Sequence, residues 1–175
     1  MKKKVIVCGP YNAGKTTFIK NINPQEFIGT EKREFDLENL IEKETTTTVG
    51  IEMNFLKNGT YQFLFFGLPG QEKFDFIWEI IGENFDGILF LHPAYEDVRK
   101  LKFYIDFFSK TNSFSKAFKM ILITHCDEAK INNFETFKQF GFPIKTIDPR
   151  KKEEVFEIIN FITKIFNGDL YVKNL

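Results

Sequence analysis

The chain has 175 residues, of which 43% are hydrophobic, and its 24 basic and 24 acidic residues give a formal net charge of zero. This length and balance predict one globular domain with a full core and exclude a disordered, collagenous or disulfide-stapled chain. Because a nucleic acid backbone is bound by a clustered basic excess, we expect no nucleic acid partner.

The cysteines and the first residues indicate where the protein works. Cys8 and Cys126 lie far apart and outside any zinc-binding spacing, so we expect a reduced, cytoplasmic setting. An apolar run follows the basic stretch Met1–Lys4 and ends at Gly9. This run is too short for the apolar region of a signal sequence. We expect no integral membrane segment.

In chain order, short apolar runs alternate with helical patterns. The runs that predict buried strands are Val5–Cys8, Phe63–Phe66, Ile88–Leu91 and Met120–Ile123. A helix is predicted over Thr17–Asn21, and apolar residues spaced from Val155 to Phe166 predict a closing amphipathic helix. Residues 21–47 are polar, and we expect a long loop there within a single domain spanning residues 1–175. The alternation predicts an α/β fold whose mostly parallel sheet binds ligands at the carboxyl ends of its strands.

The strongest motif is Gly9-Pro-Tyr-Asn-Ala-Gly14-Lys15-Thr16, which fits G-x-x-x-x-G-K-[ST] between a predicted strand and a predicted helix. In such a loop the backbone N–H groups surround phosphate oxygens, the lysine adds a positive charge and the threonine offers a hydroxyl to Mg²⁺. Asn12 tolerates a positive φ. The alternative is a strand-to-helix turn with a solvated lysine. The residues predicted to bind nucleotide here are Asn12, Ala13, Gly14, Lys15, Thr16 and Thr17.

Three further segments, together with this loop, carry a family resemblance: Thr48-Val-Gly50, Phe66-Gly-Leu-Pro-Gly-Gln-Glu-Lys-Phe74 through Trp78, and Thr124-His-Cys-Asp127. With them the chain resembles the Ras-like small GTPases, nearest the Arf branch and the MglA-like prokaryotic proteins. The resemblance implies a P-loop NTPase three-layer α/β sandwich with a six-stranded sheet, mostly parallel with one antiparallel strand. It also implies GTP/GDP and Mg²⁺ as ligands.

The resemblance implies two switch segments that respond to the nucleotide. Thr48 would bind Mg²⁺ and the γ-phosphate in the first, although four threonines in a row also suit an edge strand. In the second, Gly70 would give its N–H to the γ-phosphate and Gln71 would orient the attacking water. Gly67 stands where the family has an aspartate that holds Mg²⁺ through water. The alternative for Gly67–Gly70 is a turn after a buried strand.

The base-binding segments depart from the family pattern. The resemblance implies that Thr124 and Asp127 belong to the guanine site, with Asp127 accepting from the N–H edge of the base and His125 replacing a lysine. A polar strand end is the alternative. The resemblance also implies that a loop over residues 146–150 donates a backbone N–H to the guanine carbonyl. Pro149 has no N–H to donate there, so a neighbouring N–H from Asp148 or Arg150 would have to replace it.

The resemblance therefore implies a small GTP-binding switch with slow GTP hydrolysis. It implies an activating protein, of the roadblock type by likeness to the MglA-like branch, and an unknown effector. Two alternatives stay open. One is a pseudo-GTPase interaction module, favoured by Gly67, His125 and Pro149. The other is a small-molecule kinase. Such a kinase would need a lid with arginines, and the whole chain has only three, which argues against it.

Overall fold

The computed structural model describes residues 1–29, 51–71, 75–127 and 135–169. They form a six-stranded sheet in the order β2-β3-β1-β4-β5-β6. The strands are β1 (Lys2–Cys8), β2 (Glu52–Asn58), β3 (Tyr61–Gly67), β4 (Gly87–Pro93), β5 (Phe118–Thr124) and β6 (Ile144–Thr146). The helices are α1 (Lys15–Ile22), α2 (Asp75–Ile81), α3 (Val98–Ser109), α4 (Glu135–Lys138) and α5 (Lys152–Asn167).

All neighbouring strands pair in parallel except β2 and β3, which form an antiparallel hairpin. A two-residue turn at Gly59 and Thr60 joins them, and Gly59 has a φ of 59°. Such a turn fixes the register, so Asn58 pairs with Tyr61 and, six residues on, Glu52 pairs with Gly67.

Two apolar layers cover the sheet, one on each face. In β1, Val5 and Val7 face the layer formed by α1 and α5, whereas Ile6 and Cys8 face the layer formed by the other helices. The first layer includes Phe18, Ile19, Ile22, Val155, Ile158, Ile159 and Ile162. The second includes Ile77, Trp78, Leu101, Tyr104, Phe108 and Phe137. The predicted three-layer α/β sandwich is therefore confirmed.

Packing also fixes helix α1, which carries Lys15 and Thr16 of the predicted phosphate loop, the segment Gly9–Thr16. Helix α1 has eight residues, which is too short to be stable alone in water. Its buried side chains Phe18, Ile19 and Ile22 hold it on the sheet. Lys15 and Thr16, at its first turn, are thereby placed at the carboxyl end of β1.

The four predicted strands are present, each longer at one or both ends. Periodicity alone does not identify β2 and β6, because both are edge strands with mixed burial and neither contains a continuous buried apolar run. The predicted loop over residues 21–47 begins two residues too early, since α1 continues to the buried Ile22. Ile28, inside that range, forms an isolated antiparallel bridge with Met53, and residues 30–47 lie outside the described residues.

Candidate functional site

The segment between β1 and α1 is a tight loop that requires unusual backbone angles. Gly9, Asn12 and Gly14 have φ values of 145°, 62° and 84°. Left-handed residues in a turn allow successive N–H groups to face one concavity, which is the arrangement that binds anions. Asn12 adopts the positive φ expected of it. The predicted residues Ala13 and Thr17 lie in the same segment, and Ala13 is fully buried.

Lys15 lies inside this loop with only 9% of its surface exposed. Its Nζ donates to the carbonyl oxygens of Gly9, at 2.9 Å, and of Pro10, at 2.6 Å. Burial lowers the pKa of Lys15 to about 8, an effect that the nearby Glu52 carboxylate partly offsets. The loop therefore holds a desolvated ammonium group whose two hydrogen-bond acceptors here are backbone carbonyl oxygens.

Thr16 meets an acidic side chain that the sequence reasoning did not identify. Its Oγ1 donates to Oε1 of Glu52, the first residue of β2. Hydroxyl and carboxylate oxygens are the donors that Mg²⁺ prefers, so the residue types here fit that ion. The described residues contain no group of three or more His, Cys, Asp or Glu side chains that could hold a metal. Phosphate and water are the usual further ligands of Mg²⁺ at such a site. Thr48, the other predicted metal residue, lies outside the described residues.

The segment after β3 packs against the phosphate loop at Gly70. A Cβ on Gly70 would lie 2.6 Å from the backbone nitrogen of Tyr11 and 2.7 Å from Nζ of Lys15, so only glycine fits. Two side chains fix the segment from the other side. Nε1 of Trp78 donates to the oxygen of Pro69 at 2.9 Å, and Oη of Tyr104 donates to the oxygen of Gly70 at 2.8 Å.

Gln71, the predicted catalytic residue, directly follows this anchored glycine and is half buried. Residues 72–74, which come next, lie outside the described residues. Gly70 thus lies beside Lys15, and Gln71 is the residue next to that contact.

On its other side, the phosphate loop is braced by the end of β5. Oγ1 of Thr124 donates to the carbonyl oxygen of Ala13 at 3.1 Å, and Thr124 is fully buried. Beyond this contact lies a cavity of about 420 Å³. Predicted residues from three separate segments line it: Asn12, Gly14, Thr17, His125, Asp127, Asp148 and Pro149.

Within this cavity Arg150 pairs with two of the three acidic side chains, Asp127 and Asp148. Its guanidinium donates to Oδ2 of Asp127 at 2.7 Å and to both carboxylate oxygens of Asp148 at 2.8 and 2.9 Å. Hydrogen bonds from Arg150 are the main reason that the pKa values of Asp127 and Asp148 lie below the ordinary value. Asp127 therefore stays ionised over the physiological pH range, and one of its oxygens is engaged by the arginine.

The backbone donors proposed to replace the missing N–H of Pro149 are both engaged. The Asp148 N–H donates to Oε2 of Glu154 at 2.8 Å, and the Arg150 N–H donates to Oδ1 of Asp148 at 3.0 Å. Pro149 itself lies against the phosphate loop, because a Cβ on Gly14 would be 3.0 Å from Cγ of the proline.

His125, which lines the cavity, contacts a tyrosine absent from the sequence reasoning. His125 has a positive φ of 56°, and its ring centroid lies 5.5 Å from that of Tyr95. The Tyr95 hydroxyl accepts from Nδ2 of Asn12 at 3.1 Å. Tyr95 thus links the histidine to the phosphate loop.

Sequence reasoning missed Glu52, Tyr95 and Tyr104 as site residues, and it missed the pairing role of Arg150. For Glu52 a signal existed, because the dipeptide Asn58-Gly59 is typical of a tight hairpin. Taken as the two turn residues, however, that dipeptide would place Glu52 opposite Phe65, and only the observed turn at Gly59 and Thr60 places it opposite Gly67. The two tyrosines carried no comparable signal.

No protein-family model matches the sequence, and no curated protein matches it significantly. Solved structures do match it. The Arl6 BBS3 small GTPase from Trypanosoma brucei, with bound nucleotide analogue GppNp, is 20% identical, with 94% of this chain and 97% of that chain covered and a TM-score of 0.69. The G domain of the T. maritima FeoB iron transporter is 18% identical over 94% of this chain and 98% of that chain, with a TM-score of 0.67. Translation elongation factor SelB from Methanococcus maripaludis is 16% identical over 95% of this chain but 35% of that chain, with a TM-score of 0.69.

The chain has the fold of the P-loop small GTPase domains. Sheet order, the single antiparallel pair and near full-length coverage of two such domains all agree. At these identities the likeness establishes the fold alone. Within the described residues, no helix combines the length and the apolar character needed to span a membrane.

Proposed function

We propose that this protein is a small GTP-binding protein formed by a single domain over residues 1–175. One observation carries the proposal. The loop around the buried Lys15 lies between Gly70 on one side and, on the other, the cavity that contains Asp127. A nucleotide fits this arrangement with its phosphates at the loop, its base beside Asp127 and its terminal phosphate toward Gly70.

Guanine is the base that the comparisons favour. The Arl6 structure is described with the analogue GppNp, and FeoB structures are described in GDP and GMPPNP forms. In this chain Asp127 is ionised, and it can accept hydrogen bonds from the N–H edge of guanine if Arg150 releases the carboxylate oxygen that it now binds. The Arg150 guanidinium is also a donor that can replace the missing Pro149 N–H toward the guanine carbonyl.

Mg²⁺ is the second proposed ligand. Bound beside the phosphates, it would neutralise their charge and fix their orientation. Thr16 and Thr48 are the threonines proposed to hold it. Thr16 stands at the first turn of α1, directly after the lysine of the phosphate loop.

Slow GTP hydrolysis follows from the same site. Gln71 is proposed to orient the attacking water, since it follows the glycine that touches Lys15. Both arginines within the described residues are held in ion pairs, Arg99 with Asp97 and Arg150 with Asp127. A stimulating charge supplied by an activating protein, of the roadblock type by resemblance, is therefore part of the proposal, together with an effector in the cytoplasm.

Fluorescently labelled GDP, GTP and ATP, titrated with and without Mg²⁺, test the binding. We expect tighter binding of the guanine forms, and Lys15→Ala is expected to weaken binding about 10- to 100-fold because it removes a charged donor from desolvated phosphates. Lys20→Ala, on an exposed position of the same helix, is the matched control and should bind like the wild type. Equal binding by all three proteins would refute the site.

A pseudo-GTPase module is the second candidate, favoured by the pairing of Asp127 with Arg150 and by glycine at position 67. It predicts nucleotide held without turnover, or none held. Mg²⁺-dependent GTP hydrolysis above background, abolished by Gln71→Leu, would decide for the GTPase. Turnover equal in the wild type and in Gln71→Leu would decide against it.

A further inference from the structure

Glu52 occupies the space that a side chain at position 67 would fill. The two residues are directly opposite each other in the antiparallel pair of β2 and β3, so their side chains project from the same face of the sheet. A Cβ on Gly67 would lie 2.4 Å from Cδ1 of Ile19, 2.9 Å from Oε2 of Glu52 and 3.2 Å from Cβ of Glu52. Glycine at position 67 therefore leaves room for both Ile19 and the glutamate.

The Glu52 carboxylate is directed at the phosphate loop. Its Oε1 accepts the hydroxyl of Thr16, the residue that follows Lys15 in the G-x-x-x-x-G-K-[ST] motif. A carboxylate thus lies at the end of the loop where a metal would be needed, although it comes from the neighbouring strand.

We propose that Glu52 supplies the carboxylate that holds the nucleotide's Mg²⁺, replacing an acidic side chain at position 67. The inference rests on the proposed function, because Mg²⁺ would reach this site together with the phosphates. Mg²⁺ typically takes one or two protein oxygens beside phosphate and water, and Thr16 and Glu52 provide a hydroxyl and a carboxylate that already touch. In this proposal the glutamate carboxylate, on a side chain that starts from β2, takes the position that an aspartate at position 67 of β3 would fill.

The test measures how free Mg²⁺ slows the release of fluorescent GDP. Release rates are recorded from chelator to millimolar Mg²⁺ for the wild type, Glu52→Gln and Glu52→Ala. The glutamine keeps the size of the side chain and an oxygen that can accept from Thr16, so it separates the carboxylate charge from mere positioning of the threonine. Glu153→Gln, an exposed acid in the first turn of α5, is the matched control.

We expect both Glu52 variants to need about 10- to 100-fold more Mg²⁺ for half-maximal slowing, the range found when a group supporting a metal site is removed. Release in chelator should stay within about twofold of the wild type, and Glu153→Gln should match the wild type throughout. A Mg²⁺ midpoint unchanged in both Glu52 variants would overturn the proposal, as would a wild type whose GDP release ignores Mg²⁺. Failure of the wild type to bind GDP at all, even in chelator, would instead overturn the proposed function and this proposal with it.

Discussion

Replacing Thr124 by valine tests whether the end of β5 braces the phosphate loop. Valine keeps the shape of threonine and exchanges the hydroxyl for a methyl group. The change removes the 3.1 Å hydrogen bond to the carbonyl oxygen of Ala13, and both residues are fully buried. Water cannot easily replace the lost donor, so the substitution leaves a buried acceptor short of one partner.

Leaving a buried polar group unsatisfied costs about 1–3 kcal/mol, which corresponds to roughly 5- to 150-fold in an equilibrium constant. We expect Thr124→Val to lower the free energy of unfolding by about this amount. Nucleotide affinity should fall as well, because the loop loses its link to the sheet. Thr124→Ser keeps the hydroxyl and loses one methyl group, so it should cost about 0.8 kcal/mol of stability and leave affinity nearly unchanged.

Urea unfolding followed by tryptophan fluorescence measures the first quantity, since Trp78 is the single tryptophan and is fully buried. Titration with labelled GDP measures the second. A valine variant as stable and as tight-binding as the wild type would refute the brace. So would a serine variant that loses more affinity than the valine variant.

Two further changes follow from the same geometry. The pKa of Lys15 is lowered to about 8 in the nucleotide-free protein because the lysine is buried, and bound phosphates should raise it. Binding then takes up a proton above that pH, so nucleotide affinity should fall as pH rises from about 8 toward 10; a flat profile, or the same slope in Lys15→Gln, would contradict this. Gly70→Ala places a Cβ 2.6 Å from the backbone nitrogen of Tyr11, so it should push the proposed second switch away from the loop and weaken GTP binding more than GDP binding. Gly87→Ala, whose Cβ would meet its nearest atom at 3.6 Å, is the control, and equal GTP affinity in both variants would count against a contact between switch and loop.

The inner strands and the phosphate loop could be predicted because their signals are local. Val5–Cys8 and Met120–Ile123 are short apolar runs, and strands buried on both faces leave such runs in any sequence. The loop motif depends on residues adjacent in the chain, so its spacing is visible without a structure. Edge strands such as Glu52–Asn58 leave no such run, because one side of the strand has no neighbour and its burial is mixed.

The segments that line the proposed base site were predicted from the sequence, but the pairing of their side chains was not. Asp127 and Asp148 were named from separate motifs, but their shared partner Arg150 and the capture of the Asp148 N–H by Glu154 depend on how the two loops meet. Side-chain pairing between distant segments has no local periodicity. It appears only once the sheet order has brought the loops together.

By itself, the sequence determined the alternation of strands and helices and the tight loop between the first strand and the first helix, since both follow from residues that are close along the chain. The tertiary structure alone decided which side chains stand around that loop. Gly67 looks like the loss of a metal ligand when the sequence is considered one segment at a time. Pairing in the hairpin brings Glu52 to the same place. Residues directly opposite each other in paired strands project from the same face of the sheet, however far apart they lie in sequence.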